Sequence, residues 1–177
     1  MIHQLKRLSA VFIFGAAFQI TSALADSDMQ VDASIGATLP SNENYKAGLN
    51  QNVSFTYASS SLSYRVGLTH LGNLALKSKD SEGDSELRIY GGYFELVKVF
   101  DLGAINLEAG AGVLFSETEV VFLDKQIHEE YDTSPFAEIT VSRNINELIS
   151  FHAGFIWISD VSGSNIVVPK AGMRFSF

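Results

Sequence analysis

Period-two alternation, sustained from residue 29 to the last residue, constrains this chain more than any other feature. Met29, Val31, Ala33, Ile35, Ala37 and Leu39 alternate with Gln30, Asp32, Ser34, Gly36 and Thr38. Leu49, Val53, Phe55 and Tyr57 alternate with Asn50, Asn52, Ser54 and Thr56, and Gln51 is the one break. Tyr64, Val66 and Leu68 oppose Ser63, Arg65, Gly67 and Thr69. Ile105, Leu107, Ala109, Ala111, Val113 and Phe115 oppose Asn106, Glu108, Gly110 and Gly112. Ala137, Ile139 and Val141 oppose Glu138, Thr140 and Ser142, and Ile149, Phe151, Ala153, Phe155 and Trp157 oppose Ser150, His152 and Gly154. Successive side chains of a strand point to opposite faces, so each segment predicts a strand with one apolar and one polar face.

The final segment sharpens the reading. Val167, Pro169, Ala171, Met173, Phe175 and Phe177 share one face, and Lys170, Gly172, Arg174 and Ser176 share the other. An apolar strand face needs either a second layer or lipid, and a strand ending on an aromatic residue suits closure of a barrel against lipid. The segment 86–100 is the exception. Its start predicts Leu87, Ile89, Gly91 and Tyr93 outward, with Arg88, Tyr90 and Gly92 inward, a phase that puts the Glu95 carboxylate in lipid. Either a bulge near Phe94 resets the register or Glu95 lies near the headgroups, where its cost is small.

Residues 1–25 read as a cleavable leader: Lys6 and Arg7 precede an apolar run from Leu8 to Ile20, and Ala23-Leu24-Ala25 supplies small residues before Asp26. The run is short for a membrane-spanning helix. Residues 26–177 then form one exported domain. Without Lys6 and Arg7, ten of the twelve basic residues remain against twenty acidic ones, which argues against a nucleic-acid partner. There is no Cys, hence no disulfide framework.

The connections alternate in length. Ser59–Ser61, Asp101–Gly103 and Asn144–Glu147 are short, whereas Pro40–Gly48, Lys77–Ser85, Glu117–Ser134 and Ser159–Asn165 are longer. Eight strands joined this way place both termini and every short turn at one end and all long loops at the other. The fold class expected is all-β: an eight-stranded antiparallel up-and-down transmembrane β-barrel, its strands of about ten residues suiting a tilted crossing. A spanning sheet must close, because unpaired backbone groups in lipid are costly. A soluble barrel would carry its apolar face inside. Here the small Gly, Ser and Thr residues lie on the polar face, which fits a narrow bore. Aromatic residues sort by height, with Tyr57, Tyr64, Phe151, Phe175 and Phe177 near the short turns and Phe115, Phe155 and Trp157 toward the loops, as interfacial belts do.

With its leader, alternating strands and C-terminal GMRFSF, the chain resembles the small outer-membrane barrels of Gram-negative bacteria, of which the OmpA-type transmembrane domain and the OmpX-type proteins are the nearest. The resemblance implies outer-membrane localisation among lipid and lipopolysaccharide. It also implies that the barrel-assembly machinery reads the last strand, here through Ala171, Met173, Phe175 and Phe177. Pro169 departs from an ideal strand because it cannot donate to a ladder.

The inward positions carry the charged and titratable side chains: Asp32, Arg65, Arg88, Glu108, Glu138, His152, Lys170 and Arg174. Four fixed bases against three acids and one His predict a paired network filling the bore, or a polar path for a small channel. A third class is a barrel enzyme that modifies lipid A. The deacylase kind carries a His and a Ser two residues apart, but Gly154 follows His152 and Gly72 follows His70 at that spacing. No catalytic set, cofactor motif or metal motif is specified. Asp80, Glu82, Asp84 and Glu86 lack the EF-hand spacing, and Asp124, His128, Glu129, Glu130, Tyr131 and Asp132 read as a hydrated loop or a weak divalent-cation site that bridges to lipopolysaccharide phosphates. The function expected is structural or surface-interacting, adhesion or recognition of a host or abiotic surface through the loops, and the third strand, Leu62 to about Leu76, is long enough to protrude beyond the membrane and pair with a foreign strand.

Overall fold

A computed structural model describes residues 29–58, 62–75, 85–122 and 125–177. The leader and the acidic run at 80–84 lie outside these residues, as does Asp124. Eight strands follow one another: β1 Met29–Pro40, β2 Gly48–Tyr57, β3 Ser63–Ala75, β4 Ser85–Asp101, β5 Asn106–Phe122, β6 Lys125–Asn144, β7 Ile149–Val161 and β8 Ser164–Ser176. Each pairs antiparallel with its neighbour, and β1 pairs with β8 from Gln30↔Ser176 to Pro40↔Ile166, closing the barrel. That seam skips one stretch, Gly36↔Lys170 being followed by Leu39↔Val167. Pro169 falls in the gap, where its missing N–H cannot support a rung.

The outward faces are those the alternation predicts for seven strands. Ile35, Leu49, Tyr57, Tyr64, Val66, Leu68, Phe115, Ile139, Phe151, Phe155 and Trp157 are all exposed. So large an apolar exterior is incompatible with water and fits a hydrocarbon layer. Gln51 marks an edge of that layer: it pairs with His70, which pairs with Tyr90, which pairs with Glu117. These four polar or amphipathic residues form one ladder row across β2 to β5, so the apparent break in β2 belongs to the start of the interface.

The fourth strand corrects the expectation. Leu87, Ile89, Tyr93, Glu95 and Val97 are buried inside the barrel, while Tyr90, Phe94, Leu96 and Lys98 are exposed. Its pairing with β5 runs from Ser85↔Phe122 to Asp101↔Asn106 without a register shift. Neither a bulge near Phe94 nor a headgroup position for Glu95 is needed, because the whole strand runs in the opposite phase. Both of its faces are apolar, and the carboxylate decides which one turns inward. The bulge lies instead in β3, between His70 and Gly72. Gly72 has φ +93, and a Cβ there would meet the Leu49 backbone nitrogen at 2.7 Å, so glycine is required. The inserted residue shifts the phase, so that Leu74 turns into the barrel after Leu71, which already follows the inward phase of Arg65 and Thr69.

Two expected long loops are also corrected. Residues 117–122 and 125–134 belong to strands rather than to a loop: β5 and β6 stay paired to Phe122↔Lys125, with one irregularity at Val120/Val121. The β7–β8 connection is a tight turn in which Asp160, Ser162 and Gly163 have positive φ. Polar residues, as in Glu117-Thr118-Glu119, suit a strand that continues beyond the membrane with one wet face as well as they suit a loop. The 41–47 loop is a real one and folds inward. Lys46 N–H donates to Ala75 O at 2.8 Å, and Tyr45 packs on the core below.

Candidate functional site: a sealed bore beneath a tall acidic wall

The bore has two storeys. The one nearer the short turns is ionic. Arg65 stands at its centre because β3 pairs it directly with Glu95 on β4. Its Nη1 donates to Glu95 Oε2 at 3.0 Å and to Glu138 Oε1 at 3.1 Å, its Nη2 to Glu108 Oε2 at 3.0 Å, and its Nε to Thr56 at 3.1 Å. Lys170 donates to Glu138 at 2.9 Å, and Arg174 Nη2 to Glu108 at 2.9 Å. Asp32, opposite Arg174 across the seam, lies 2.9 Å from His152 Nε2 and 3.5 Å from Arg174 Nε. Thr140 and Ser142 donate to Glu138 and Glu108 at 2.8 and 3.0 Å. Below the network a vestibule of about 140 Å³ opens toward the short turns, with Arg65, Glu108 and Arg174 in its lining.

Of the eight lumen residues expected, Asp32, Arg65, Glu108, Glu138, His152, Lys170 and Arg174 are in the bore and buried. Arg88 is not. It lies on the outer face, its Nη2 3.2 Å from Glu86, because the phase of β4 is reversed. The same reversal brings in Glu95, which the expectation omitted, so the bore holds three fixed bases and four carboxylates beside His152. The cue was present: a mid-strand carboxylate is cheaper in a paired bore than in lipid.

The storey nearer the long loops is apolar, which alternation did not indicate. Leu71, Leu74, Leu87, Ile89, Tyr93, Leu114, Phe136, Ile156, Ile158, Val161, Ile166 and Val168 form one buried cluster, with Tyr45 and Val120 against it. Tyr93 joins the storeys. Its ring stands edge-on to Phe136 at 5.6 Å, and its hydroxyl donates to Asn52 Oδ1 at 3.1 Å. An ion crossing this cluster would lose its hydration without compensation, a cost of several kcal/mol or more. The bore is therefore a packed core.

Above this polar row, β4, β5 and β6 continue upward. β7 pairs with β6 only from Phe136↔Ile158 downward, so β6 rises alone on that side. From Ser116 to Phe122 the wall climbs roughly 20 Å at strand rise. Its outer face carries Glu86, Glu117, Glu119 and Glu129 with Arg88, Tyr90 and Tyr131, and His70 stacks on Tyr90 at 4.6 Å. The Tyr131 hydroxyl donates to Glu129. That bond, with the Glu117 carboxylate nearby, pushes the phenol up to about 12. The base of the β6 edge is clamped: Ser162 N–H donates to Asp132 Oδ2 at 3.0 Å, and Ser134 Oγ to Asp160 O at 3.0 Å. Residues 128–131 lie above the clamp with no strand paired to that edge among the described residues. No cluster of three or more His, Asp or Glu arranged to hold a metal ion occurs among them either.

An apolar exterior, a closed eight-stranded sheet and a packed bore define a transmembrane β-barrel of the outer-membrane type. Three solved barrels share the fold. Neisserial surface protein A (NspA) superposes with a TM-score of 0.70 at 16% identity, covering 85% of this chain and 98% of its own. The N-terminal barrel domain of Pseudomonas aeruginosa OprF gives 0.60 at 10% identity over 85% and 98%. Ail, the attachment invasion locus protein of Yersinia pestis, solved with the heparin analogue sucrose octasulfate, gives 0.58 at 14% over 85% and 99%. No family model and no curated protein matches the sequence. The apolar belt and this fold together locate the chain in an outer membrane.

Proposed function

We propose that this barrel is a non-catalytic surface-recognition protein whose working part is the β4–β6 wall. The observation that carries the reading is the wall itself, which stands above the membrane on a bore filled by a buried apolar cluster. Its upper β6 edge offers backbone groups to an extended segment, the geometry of β-strand addition. Its carboxylates select a basic polypeptide and disfavour a sulfated ligand such as the one seen with Ail. Host or abiotic surfaces bearing basic protein are the corresponding partners. Lipopolysaccharide would border the polar row of Gln51, His70, Tyr90 and Glu117, and the barrel-assembly machinery would read Ala171, Met173, Phe175 and Phe177 on the outer face of β8. His152 is committed to Asp32 inside the bore, which favours a structural role for it over a catalytic one.

The test is a shortened wall. Thr118 pairs with Glu130, so replacing residues 119–129 by Asn-Gly retains the register and the clamp. Cells displaying the native chain should attach to surfaces coated with a Lys/Arg-rich polypeptide and not to a sulfated polysaccharide, and the shortened variant should lose attachment while still folding. Equal attachment by both chains would rule the reading out.

A further inference from the structure

The lipid-facing wall carries a second feature, at the other end of the barrel. On β6, β7 and β8 the outward row Val141–Ala153–Ala171 is low, and the taller Phe151 and Met173 stand beside it. Together they shape an open groove of about 480 Å³ on the exterior, with Arg143 in its lining at the short-turn end. Arg143 is the penultimate residue of β6, pairs across with Phe151, is exposed, and has no ion-pair partner among the described residues.

The geometry points to a specific site for one phospholipid of the periplasmic leaflet, its acyl chain in the groove and its phosphate on Arg143. A groove floored by alanines in a hydrocarbon layer must be filled, and an acyl chain is the ligand that fills it without a polar penalty. An unpaired guanidinium at headgroup depth matches a phosphate in charge and in fork geometry. A second copy of the chain is the poorer occupant: a two-fold contact at this groove would set one Arg143 against another at the same depth. Lipopolysaccharide is excluded by height, because Arg143 adjoins the 145–148 turn at the periplasmic end. The inference needs only the barrel and its orientation, not the adhesive role of the wall.

The probe is phosphatidylglycerol, added at a few equivalents to the intact barrel in maltoside micelles and counted by native mass spectrometry. The native chain should retain one lipid at energies that strip the others. Arg143→Gln should weaken retention roughly fivefold, from the loss of one near-surface cation, and Arg143→Lys should restore most of it. Ala153→Phe should abolish it by filling the groove, and Ala111→Phe, on the lipid-facing side of β5, should leave it unchanged. Retention indifferent to Arg143→Gln and Ala153→Phe would overturn the site. So would an equal loss in Ala111→Phe, a dimer in place of the lipid, or lipid A held with the same dependence on Arg143. Heat-modifiable migration on gels establishes that each variant is folded.

Discussion

Replacing Arg65 by Met tests the ionic storey at its centre. The three carboxylates on Arg65 are not equally dependent on it. Glu108 keeps Arg174 and Glu138 keeps Lys170, but the one ion pair found for Glu95 is with Arg65, at 3.0 Å, and Glu95 is 0% exposed. Arg65→Met therefore leaves one buried carboxylate without a cation and strips a donor from two others. Removing one partner of a buried pair costs about 3–5 kcal/mol. With a urea dependence of about 2 kcal/mol per molar, the unfolding midpoint should fall by roughly 2 M.

Trp157, the only tryptophan, faces lipid and is 48% exposed, so its fluorescence reports unfolding out of vesicles. The control is Glu95→Gln. Alone it should cost about 1 kcal/mol, since an amide oxygen still accepts from Arg65. In the Arg65→Met background it removes the orphaned charge and should recover about 2 kcal/mol. A midpoint shift under about 0.5 M for Arg65→Met, or strictly additive losses in the double variant, would show that the network does not hold the barrel together.

Three further outcomes follow from the bore and the wall. Purified barrel in planar bilayers should show no conductance steps, because the apolar storey is closed by twelve buried side chains; discrete steps from homogeneous protein would contradict the packing. Gly67→Ala should cost about 1–3 kcal/mol, since a Cβ there would meet the Tyr93 ring at 2.5 Å, and Tyr93→Ala in the same chain should relieve the clash, as urea midpoints would show. In ultraviolet titration Tyr131, identified by difference from Tyr131→Phe, should ionise at about 12, and Glu129→Gln should bring it down toward ordinary phenols; an unchanged midpoint would mean that the hydrogen bond to Glu129 is not the cause.

Strand periodicity made most of the barrel legible, and it failed where physics gives it no purchase. A period of two sorts residues onto two faces but does not say which face meets lipid; that comes from charge. β1, β2, β3 and β5–β8 place their charged and small polar residues on one face, so their orientation was readable. In β4 both faces are apolar, and Glu95 alone breaks the tie. Its inward position becomes obvious once Arg65 is seen across from it, which requires the β3–β4 register. The apolar storey was hidden for a related reason. Leu74 turns inward through a bulge that only the φ of Gly72 reveals, and Leu71, Leu114, Ile156 and Ile158 occupy positions of the otherwise polar phase. Polarity similarly marked residues 117–134 as lying beyond the membrane without showing that β5 and β6 stay paired there to Phe122↔Lys125.

The two storeys and the wall are coupled through one strand. β6 contributes Glu138 to the ionic network, Phe136 to the apolar cluster and Asp132 to the clamp with Ser162, all within seven residues. The open part of the strand begins just above. A free β-edge is useful for recognition only if its foundation does not flex, since ordering a loose strand on binding would consume the free energy of the contacts it makes. A water-filled bore would give β6 no such support on its inner side. The packed bore supplies it, so on the proposed reading the apolar cluster that fills the barrel would also hold the upper edge of β6 in place for a partner.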